Sequence, residues 1–373
     1  MDKVGILTLY DPINYGACLQ TYALRAFLEC SGFDAEVIDY RPSTSGVDKR
    51  TTFQKVRSCI WKNTLYKLLN DKSRFEKTNQ FKKENIKYSS GTFYNFEELN
   101  CGCSYDSLIV GSDQVWNPQI IGSDKAWFLG FSDASLRIAY AASFGVSQLD
   151  ECFWKTYAES LKKLNAISVR EETGAEIVWK LVQRRASVVV DPVFLISKKQ
   201  WEKLSVQPSE KKKYILSYYM QGDSKVESTI DETSKKYAIE HNCKIINIGK
   251  RDITKLKVWE PNAFGIGPGE FLGLIQKAEA VVTNSFHGTA FSLIFEKPFV
   301  SVANTDKNSL ASRIVDLLVR LNMQQWIQDV RSENEVGVKP VPERSKVLLQ
   351  KEIEKGKAYV LNALEGKEKN ETM

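Results

Sequence analysis

Residues 281–288 read VVTNSFHG, an apolar run that changes abruptly to small and polar residues. The valines and threonine favour a buried strand, and the Asn-Ser pair is typical of a turn that caps a following helix. His287, one of two histidines in the chain, falls at the predicted helix start, where backbone amides attract anions. The alternative is a structural histidine that bonds a backbone carbonyl.

The same alternation of apolar runs and helical patterns extends outward along the chain. Apolar runs lie at 4–9, 35–39, 107–110, 137–142, 166–169, 188–190, 214–219, 244–248, 280–283 and 299–302. Strands that alternate with helices are typical of mainly parallel sheets. Because 373 residues exceed the usual size of a single core, we expect an α/β fold of two Rossmann-like domains.

Composition changes along the chain predict the domain boundaries. Residues 1–196 form the expected N-terminal domain, and residues 214–342 form the C-terminal domain. The polar, lysine-rich stretch 197–213 reads as a linker, and 343–364 has the pattern of a charged amphipathic helix.

A basic helical insertion interrupts the N-terminal domain around residues 49–87. It carries 12 Lys or Arg and 3 Asp or Glu, a net charge of +9 in a chain whose total is +6. Basic amphipathic helices can lie on anionic lipid or meet an anionic acceptor, and the alternative is an ordinary solvated helix face. No nucleic-acid recognition motif accompanies the charge.

Composition excludes several other classes of protein. The seven cysteines are scattered, and Cys101-Gly102-Cys103 lacks the partners of a zinc site, so we expect reduced thiols and no metal. There is no signal-peptide pattern and no apolar stretch of membrane-spanning length. The sequence therefore predicts a folded cytoplasmic protein.

Loops that follow the predicted strands hold the polar candidates for a site, because ligands of doubly wound sheets bind at the carboxyl ends of strands. These loops include Asn14-Tyr15-Gly16 and residues 111–117, which read GSDQVWN. Arg170 follows another strand and can anchor an anion, or form an ion pair with a nearby carboxylate. No G-x-G-x-x-G or Walker motif is present.

Together these motifs resemble the polysaccharide pyruvyl transferase family. The resemblance rests on residues 14–21 (NYGACLQT), 110–117 (VGSDQVWN), 168–171 (SVRE), 191–192 (DP), 283–288 (TNSFHG), 296–299 (EKPF) and 312–314 (SRI). It implies a GT-B-like fold, in which the two Rossmann-like domains face a cleft and the helix at 343–364 crosses back to the N-terminal domain. It also implies transfer of the pyruvyl group of phosphoenolpyruvate to sugar hydroxyls, commonly as a ketal.

The resemblance implies roles for individual residues. It places His287 and Arg170 on the donor, and the full donor-binding set is Arg170, Asn284, Ser285, Gly288, Lys297 and Arg313. Some members carry Arg where this chain has Ser285, so Lys297 or Arg313 is expected to supply the missing charge. These residues suit the donor, since phosphoenolpyruvate carries a carboxylate and a phosphate, which bind to cationic side chains and to the N–H groups at a helix start.

The reaction needs an acid for the methylene of the donor and a base for the acceptor hydroxyl. Protonated His287 is the candidate acid, and Asp113 is the candidate base or hydroxyl orienter, with a helix cap as its alternative. Candidate acceptor-binding residues are Asn14, Tyr15, Ser112 and Gln114. No cofactor or metal is required.

Two alternative functions share this architecture. One is a GT-B nucleotide-sugar glycosyltransferase, and the other is a non-catalytic subunit of a capsule-assembly complex. The expected partners of the transferase are phosphoenolpyruvate and a sugar or lipid-linked oligosaccharide acceptor. The basic insertion adds peripheral contact with the anionic inner membrane face.

Overall fold

The computed structural model describes residues 2–9, 14–42, 61–102, 104–132, 134, 136–220, 224–249, 263, 265–305 and 311–367, with only the backbone for 61–69. The chain separates into two compact units. Unit 1 comprises Met1–Lys49, Lys82–Ile196 and Gln350–Met373, and unit 2 comprises Arg50–Phe81 and Ser197–Leu349. Residues 49–60 of the predicted insertion, the side chains of 61–69, and Cys103 lie outside the described residues.

Unit 1 contains a parallel sheet of seven strands in the described part of the chain. The strands are β1 Lys3–Leu7, β2 Asp34–Tyr40, β3 Tyr88–Phe93, β4 Ser107–Val110, β5 Leu136–Ala142, β6 Ala166–Val169 and β7 Ser187–Val188. Their order across the sheet is β3-β2-β1-β4-β5-β6-β7. The chain reverses its direction of winding between β1 and β4, which makes this the topological switch point of the unit.

Unit 2 contains a parallel sheet of five strands in its described residues. They are β8 Tyr214–Tyr218, β9 Lys244–Ile248, β10 Ala280–Thr283, β11 Phe299–Ala303 and β12 Ile327–Asp329, in the order β12-β11-β10-β8-β9. Here the winding reverses between β8 and β10. The α/β class with parallel sheets, predicted from the alternation of elements, is confirmed, and β3 and β12 are strands that the sequence analysis missed.

Helices connect the strands of both sheets. In the described residues they are α1 Tyr15–Cys30, α2 Trp61–Asn85, α3 Phe96–Gly102, α4 Pro118–Ile121, α5 Glu151–Leu161, α6 Glu172–Val182, α7 Lys198–Leu204, α8 Ser224–Glu240, α9 Pro268–Lys277, α10 Phe286–Ile294, α11 Ser312–Arg320 and α12 Glu343–Leu364. Short 3₁₀ turns occupy Lys125–Phe128, Pro192–Phe194 and Gln324–Trp326. Helices that directly follow a strand of these parallel sheets, such as α1, α6 and α10, start at the carboxyl edge of the sheet.

Buried aromatic rings stabilise the core of unit 1 beside its site-bearing loops. Trp116 stacks on Phe128 with ring centroids 5.6 Å apart, and Phe128 meets Tyr157 edge-on at 4.9 Å. Phe144 completes the cluster, 5.2 Å from Trp116. Such pairs contribute about 0.5–1.5 kcal/mol each beyond their buried area. The loops after β4 and β5 are therefore held on a rigid support.

The described residues 61–81 of the basic insertion group with unit 2, whereas the sequence analysis placed the insertion in the N-terminal domain. Polar contacts of α2 account for this correction. The Asn70 Oδ1 atom accepts from the Gly265 backbone N at 2.7 Å, and Ser73 donates to the Gly265 carbonyl at 3.1 Å. One turn further on, Lys77 forms an ion pair with Glu270 at 2.6 Å.

The first half of the predicted linker 197–213 is packed structure. Ser197 and Gln200 form a capping box that starts α7, and Trp201 is fully buried with its ring edge-on to Phe291 at 5.0 Å. The Val206 backbone N then donates to the Gly269 carbonyl at 2.9 Å. Burial of Trp201 favours the packed state over the open linker that its lysine-rich surroundings suggested.

The C-terminal helix forms with the predicted bounds, Glu343–Leu364. From Gln350 onward it belongs to unit 1. The Tyr359 hydroxyl donates to the Ala139 carbonyl at 3.2 Å, and Gly356 lies against Tyr140. The last helix therefore contributes to the core of the N-terminal Rossmann-like unit.

Replacing Gly273 by alanine is expected to destabilise unit 2, even though alanine favours helices. An added Cβ on α9 would lie 1.8 Å from the Val206 carbonyl oxygen, so the segment after α7 must move. We expect the free energy of unfolding to fall by about 1–3 kcal/mol, as measured by urea unfolding. Gly337→Ala is the control, since its Cβ meets nothing within 4 Å. Equal midpoints for the two variants would contradict the packing of 197–206 on α9.

Candidate active site

The turn after β4 lies at the switch point of unit 1 and begins with a required glycine. Gly111 has φ +124°, and a Cβ there would lie 2.1 Å from the Tyr140 carbonyl oxygen. Only glycine tolerates both the conformation and the close approach. The turn can therefore pass directly over β5 before it reaches Ser112 and Asp113.

The backbone of Ser112 is held from both sides by residues of the first βα unit. The Ser112 N donates to Gln20 Oε1 at 3.1 Å, and the Thr8 hydroxyl donates to the Ser112 carbonyl at 3.2 Å. Gln20 Nε2 in turn donates to Thr8 Oγ1 at 2.9 Å, and the Gln20 side chain is fully buried. These bonds fix the position of the turn relative to β1 and α1.

Arg170, at the end of β6, is paired with two carboxylates. Its Nη1 donates to Asp191 Oδ2 at 2.6 Å and its Nη2 to Asp113 Oδ1 at 3.2 Å, with the guanidinium 1% exposed. Burial alone lowers the pKa of Arg170, but the charges of Asp191 and Asp113 outweigh it and raise the pKa above its usual value. The ion-pair alternative for Arg170 is thus present, and its contact with a donor stays a prediction.

Asp113 is turned toward Arg170 by an uncommon backbone conformation. Its φ is +69°, in the left-handed region that aspartate tolerates better than most residues, and it forms an isolated bridge with Ala142 of β5. Its side chain is 10% exposed, against 0% for Asp191. Asp113 is therefore the member of the ion-pair network that a ligand can reach.

A third carboxylate, Glu171, lies beside this network. Its Oε1 accepts from the Ser143 hydroxyl at 2.7 Å and from the Phe144 backbone N at 3.2 Å. The residue is 1% exposed, and its Oε2 has no hydrogen-bond partner among the described residues. The carboxyl ends of β5 and β6 are joined through this side chain.

In unit 2, the turn from β10 to α10 is stabilised by hydrogen bonds to the hydroxyl groups of its own residues. The Ser285 N donates to Thr283 Oγ1 at 2.9 Å, and Thr283 donates to the Tyr218 carbonyl at 2.8 Å. Ser285 is the N-cap residue, because its Oγ accepts from the Gly288 N at 3.3 Å. His287 therefore occupies the first turn of α10, as predicted, and is 7% exposed.

Asn284 joins the two loops at the switch point of unit 2. Its Oδ1 accepts from the backbone N of Met220, just after β8, at 2.7 Å. Gly288 faces the same loops, since a Cβ there would lie 2.6 Å from Thr283 Oγ1. The predicted residues Asn284, Ser285, His287 and Gly288 are thus brought together at one carboxyl edge.

The two candidates for the missing cation lie at opposite edges of this sheet. Lys297 directly precedes β11, at the amino edge, where burial lowers its pKa and the charge of Glu279 opposes that effect. His287 is in the first turn of α10, a helix of nine residues and about 14 Å, and Lys297 lies beyond its last residue. Arg313 is in the first turn of α11, at the carboxyl edge. The structure therefore brings Arg313, and not Lys297, to the edge that holds His287.

The predicted acceptor-binding residues differ in how far they face solvent. Asn14 caps α1 through its Oδ1, which accepts from the Ala17 N at 3.2 Å, and it is partly exposed. Gln114 is also partly exposed and accepts from Asn117 at 2.6 Å. Tyr15 and Ser112 are buried, at 2% and 0% exposure. Of the four, Asn14 and Gln114 are placed to meet a ligand directly.

Gln20 and Asp191 are two polar residues of this region to which the sequence analysis gave no role, as are Glu171 and Thr8. Gln20 and Asp191 both lie within quoted motifs, and each forms side-chain bonds to Ser112 or Arg170. The only signal available was a glutamine or aspartate inside an otherwise apolar run. Among the described residues, no group of three or more His, Cys, Asp and Glu side chains is arranged to hold a metal ion.

Two parallel sheets with helices between their strands and polar loops at their switch points define a protein of the two-Rossmann α/β class. Comparison with models of known protein families identifies the family to which the chain belongs. The family model for polysaccharide pyruvyl transferase matches residues 14–306, which include Asn14, the turn at Ser112, Arg170, Asp191 and the turn at Asn284 but not Thr8 or Arg313. The chain belongs to the polysaccharide pyruvyl transferase family, as its motifs indicated.

Solved structures with GT-B folds are similar to the chain along nearly its whole length. A candidate UDP-N-acetylglucosamine 2-epimerase of Listeria monocytogenes is 10% identical, with 100% of this chain and 92% of that chain covered and a TM-score of 0.51. The UDP-GlcNAc 2-epimerase of Methanocaldococcus jannaschii is 13% identical (94% and 92%, TM-score 0.49), and the Escherichia coli ADP-heptose heptosyltransferase II is 12% identical (95% and 98%, TM-score 0.36). At these identities a likeness concerns the fold alone, and the Listeria monocytogenes structure, with its TM-score above 0.5, confirms the GT-B-like class.

A comparison with curated protein sequences found no match. In the part of the chain that the structure describes, no helix combines the length and apolar character that crossing a membrane requires.

Replacing Asp191 by alanine is expected to destabilise unit 1 by about 3–5 kcal/mol, because it leaves the buried Arg170 guanidinium without its shortest ion pair. The Val193 N–H, which donates to Asp191 Oδ1, also loses its acceptor. The midpoint of urea unfolding measures the loss. Asp150→Ala serves as control, since Asp150 is exposed and its side chain does not bond the helix that it precedes. A loss below about 1 kcal/mol for Asp191→Ala would argue against the buried pair.

Proposed function

We propose that the protein transfers the pyruvyl group of phosphoenolpyruvate to sugar hydroxyls of a polysaccharide or lipid-linked glycan precursor, as a ketal. Membership of the family supports the reaction class. The observation that carries the proposal is His287 in the first turn of α10, at the switch point of unit 2. This places an acid–base group where an anionic donor binds best.

The donor is assigned to the carboxyl edge of unit 2. Phosphoenolpyruvate brings a phosphate and a carboxylate, which suit the amides at the start of α10 and the guanidinium of Arg313. Asn284 and Ser285 stabilise the turn, because their side-chain oxygens accept hydrogen bonds from the backbone N atoms of Met220 and Gly288. An anion bound here stabilises the protonated form of His287. The donor substrate needs no additional cofactor in this scheme.

The reaction proceeds by addition and displacement. A sugar hydroxyl forms a C–O bond to C2 of phosphoenolpyruvate as His287 gives a proton to the methylene carbon, which becomes a methyl group. The hydroxyl proton passes to a base, and Asp113 is the candidate for this role that the family resemblance implies. A second hydroxyl of the sugar then replaces the phosphate at C2, and its proton leaves with inorganic phosphate. The products are the ketal and phosphate, with no change in oxidation state.

Phosphoenolpyruvate is expected to raise the thermal midpoint of the wild-type protein, and His287→Ala to reduce that shift by more than half. A ligand that binds the folded state stabilises it by RT ln(1 + [L]/Kd), so a weaker Kd gives a smaller shift. Differential scanning fluorimetry measures both. The control is His241→Ala, which changes the other histidine, an exposed ring stacked on Tyr237. It should keep the full shift.

Nucleotide sugars form the second arm of the same titration. Stabilisation by a nucleotide sugar and none by phosphoenolpyruvate would contradict the proposal and favour the glycosyltransferase alternative. Binding of phosphoenolpyruvate without release of phosphate on any glycan acceptor would favour the non-catalytic alternative.

We propose further that the basic segment 49–87 brings the protein to an anionic membrane surface, where a lipid-linked acceptor resides. Neutralising Lys49, Arg50 and Lys55 to glutamine should weaken binding to vesicles of phosphatidylglycerol and phosphatidylcholine, since each basic residue contributes about 1 kcal/mol near such a surface. Cosedimentation measures binding. The matched control neutralises three exposed lysines elsewhere, Lys351, Lys355 and Lys367. Unchanged binding of the first variant would remove the membrane proposal.

A further inference from the structure

The side-chain amide of Gln114 is held in one orientation by the backbone of α4. Asn117 is the N-cap residue of α4, and its Oδ1 accepts from the Gln119 N at 3.0 Å. That bond leaves the Asn117 Nδ2 group to donate, and it donates to Gln114 Oε1 at 2.6 Å. The Gln114 Nε2 group bonds none of the described residues, so this partly exposed amide has a donor left for a ligand.

A glycine in the next loop leaves room for this pair of amides. Gly145 follows β5 with φ +63°, and a Cβ there would lie 2.3 Å from Gln114 Oε1 and 2.8 Å from Asn117 Nδ2. The Gly145 N donates to the Ser143 hydroxyl at 3.2 Å, and this hydroxyl donates to the buried Glu171 at 2.7 Å. The Gln114 amide therefore packs against a loop whose own backbone is fixed.

The same loop ends beside an exposed tryptophan. Trp154, in the first turn of α5, is 47% exposed. Its indole Nε1 donates to the Leu149 carbonyl at 2.9 Å, which restrains rotation of the ring. Because the one donor of the indole is bonded, the ring offers apolar carbon surface to a ligand.

The amide and the ring are close together in unit 1. Gly145 packs against Gln114, Leu149 bonds Trp154, and the Cα atoms of Gly145 and Leu149 are at most about 14 Å apart, because four residues separate them. A short chain of linked sugar rings spans such a distance. An amide N–H donates to the hydroxyl and ring oxygens of a sugar, and an aromatic ring contacts the apolar C–H face of a pyranose.

We propose that Gln114 and Trp154 form a subsite for uncharged sugar rings of a glycan on unit 1 alone, and that Asn117 and Gly145 are positioning residues for the Gln114 amide. The ligand atom that meets Gln114 is an oxygen that accepts a hydrogen bond, because Asn117 fixes which end of the amide is left for a ligand. This subsite rests on the proposed function for the class of its ligand, and it includes no residue of unit 2.

Fluorine NMR of the full chain labelled with fluorotryptophan shows whether sugars reach Trp154. Titration with maltohexaose, cellohexaose or mannohexaose should shift the Trp154 resonance, which is identified by its loss in Trp154→Phe. Trp201 and Trp326 of unit 2 are buried, serve as internal references and should not shift. An unmoved Trp154 resonance with all three probes would overturn the inference.

Asn117→Asp tests the orientation of the amide. A carboxylate at position 117 still accepts from the Gln119 N but donates nothing, so the Gln114 amide must turn and present its oxygen. We expect the calorimetric Kd of the tightest of the three probes to rise about threefold to tenfold. Gln119→Glu adds the same charge at an exposed residue and should change this Kd by less than about twofold. Equal Kd values for Asn117→Asp and the wild type would contradict the positioning role.

Gly145→Ala should weaken binding of the same probe about threefold to tenfold, because its Cβ displaces the Gln114 amide. Gly122→Ala is the matched control, since Gly122 has φ +58° and a Cβ there meets nothing within 4 Å. The control bears similar backbone strain and leaves Gln114 in place. Equal weakening by the two variants would reject the role of Gly145.

Trp154→Ala should raise the Kd about tenfold, because the apolar platform is lost. The control is Tyr94→Ala, an aromatic residue that is 54% exposed and follows β3, four strands away from β5. All these titrations omit phosphoenolpyruvate. Probe binding in a protein that fails to bind phosphoenolpyruvate would reject the proposed transfer and keep the subsite, whereas donor binding without probe binding would reject the subsite alone.

Discussion

The arrangement of unit 1 depends on one constraint, the cost of removing the Arg170 guanidinium from water. That cost is tolerable only if carboxylates accompany the charge, and Asp191 and Asp113 do so at 2.6 and 3.2 Å. Asp191 follows β7, Arg170 follows β6 and Asp113 follows β4, so one buried charge fixes the ends of three strands. Between them, Ser112 donates to the Ala141 carbonyl of β5. The strand ends that carry the site are thus joined into one rigid layer.

Much of the fold was predictable because its central strands are apolar on both faces. Parallel strands covered by helices read as continuous runs of valine, isoleucine and leucine, and β4, β6 and β10 begin and end at the predicted residues. The two missed strands are edge strands. β3 reads YSSGTF and is half-exposed, and β12 has only three residues, so neither has an apolar run to reveal it. The packing of 197–206 was not predicted for another reason. The lysines of this stretch suggested a solvated linker, and Trp201 is its single buried residue.

The location of the candidate site was predictable from topology, but the hydrogen bonds and ion pairs within it were not. Loops after strands of a parallel sheet must share one edge, which identified the turns at Ser112 and Asn284. The same rule places Lys297, which precedes a strand, at the other edge. Gln20, in contrast, looks like any residue of a helix, and its role exists only because the fold brings it to Ser112, 92 positions away. Pairing of Arg170 with two carboxylates likewise has no local pattern.

The cap formed by Ser285 limits which residues can replace serine at this position. The serine hydroxyl caps α10, a bond worth about 1 kcal/mol, so position 285 holds a residue that stabilises the start of this helix. A single substitution to arginine would gain a cation and lose the cap at once. The start of α10 would therefore be less stable after such a substitution unless another group in the turn took over the cap.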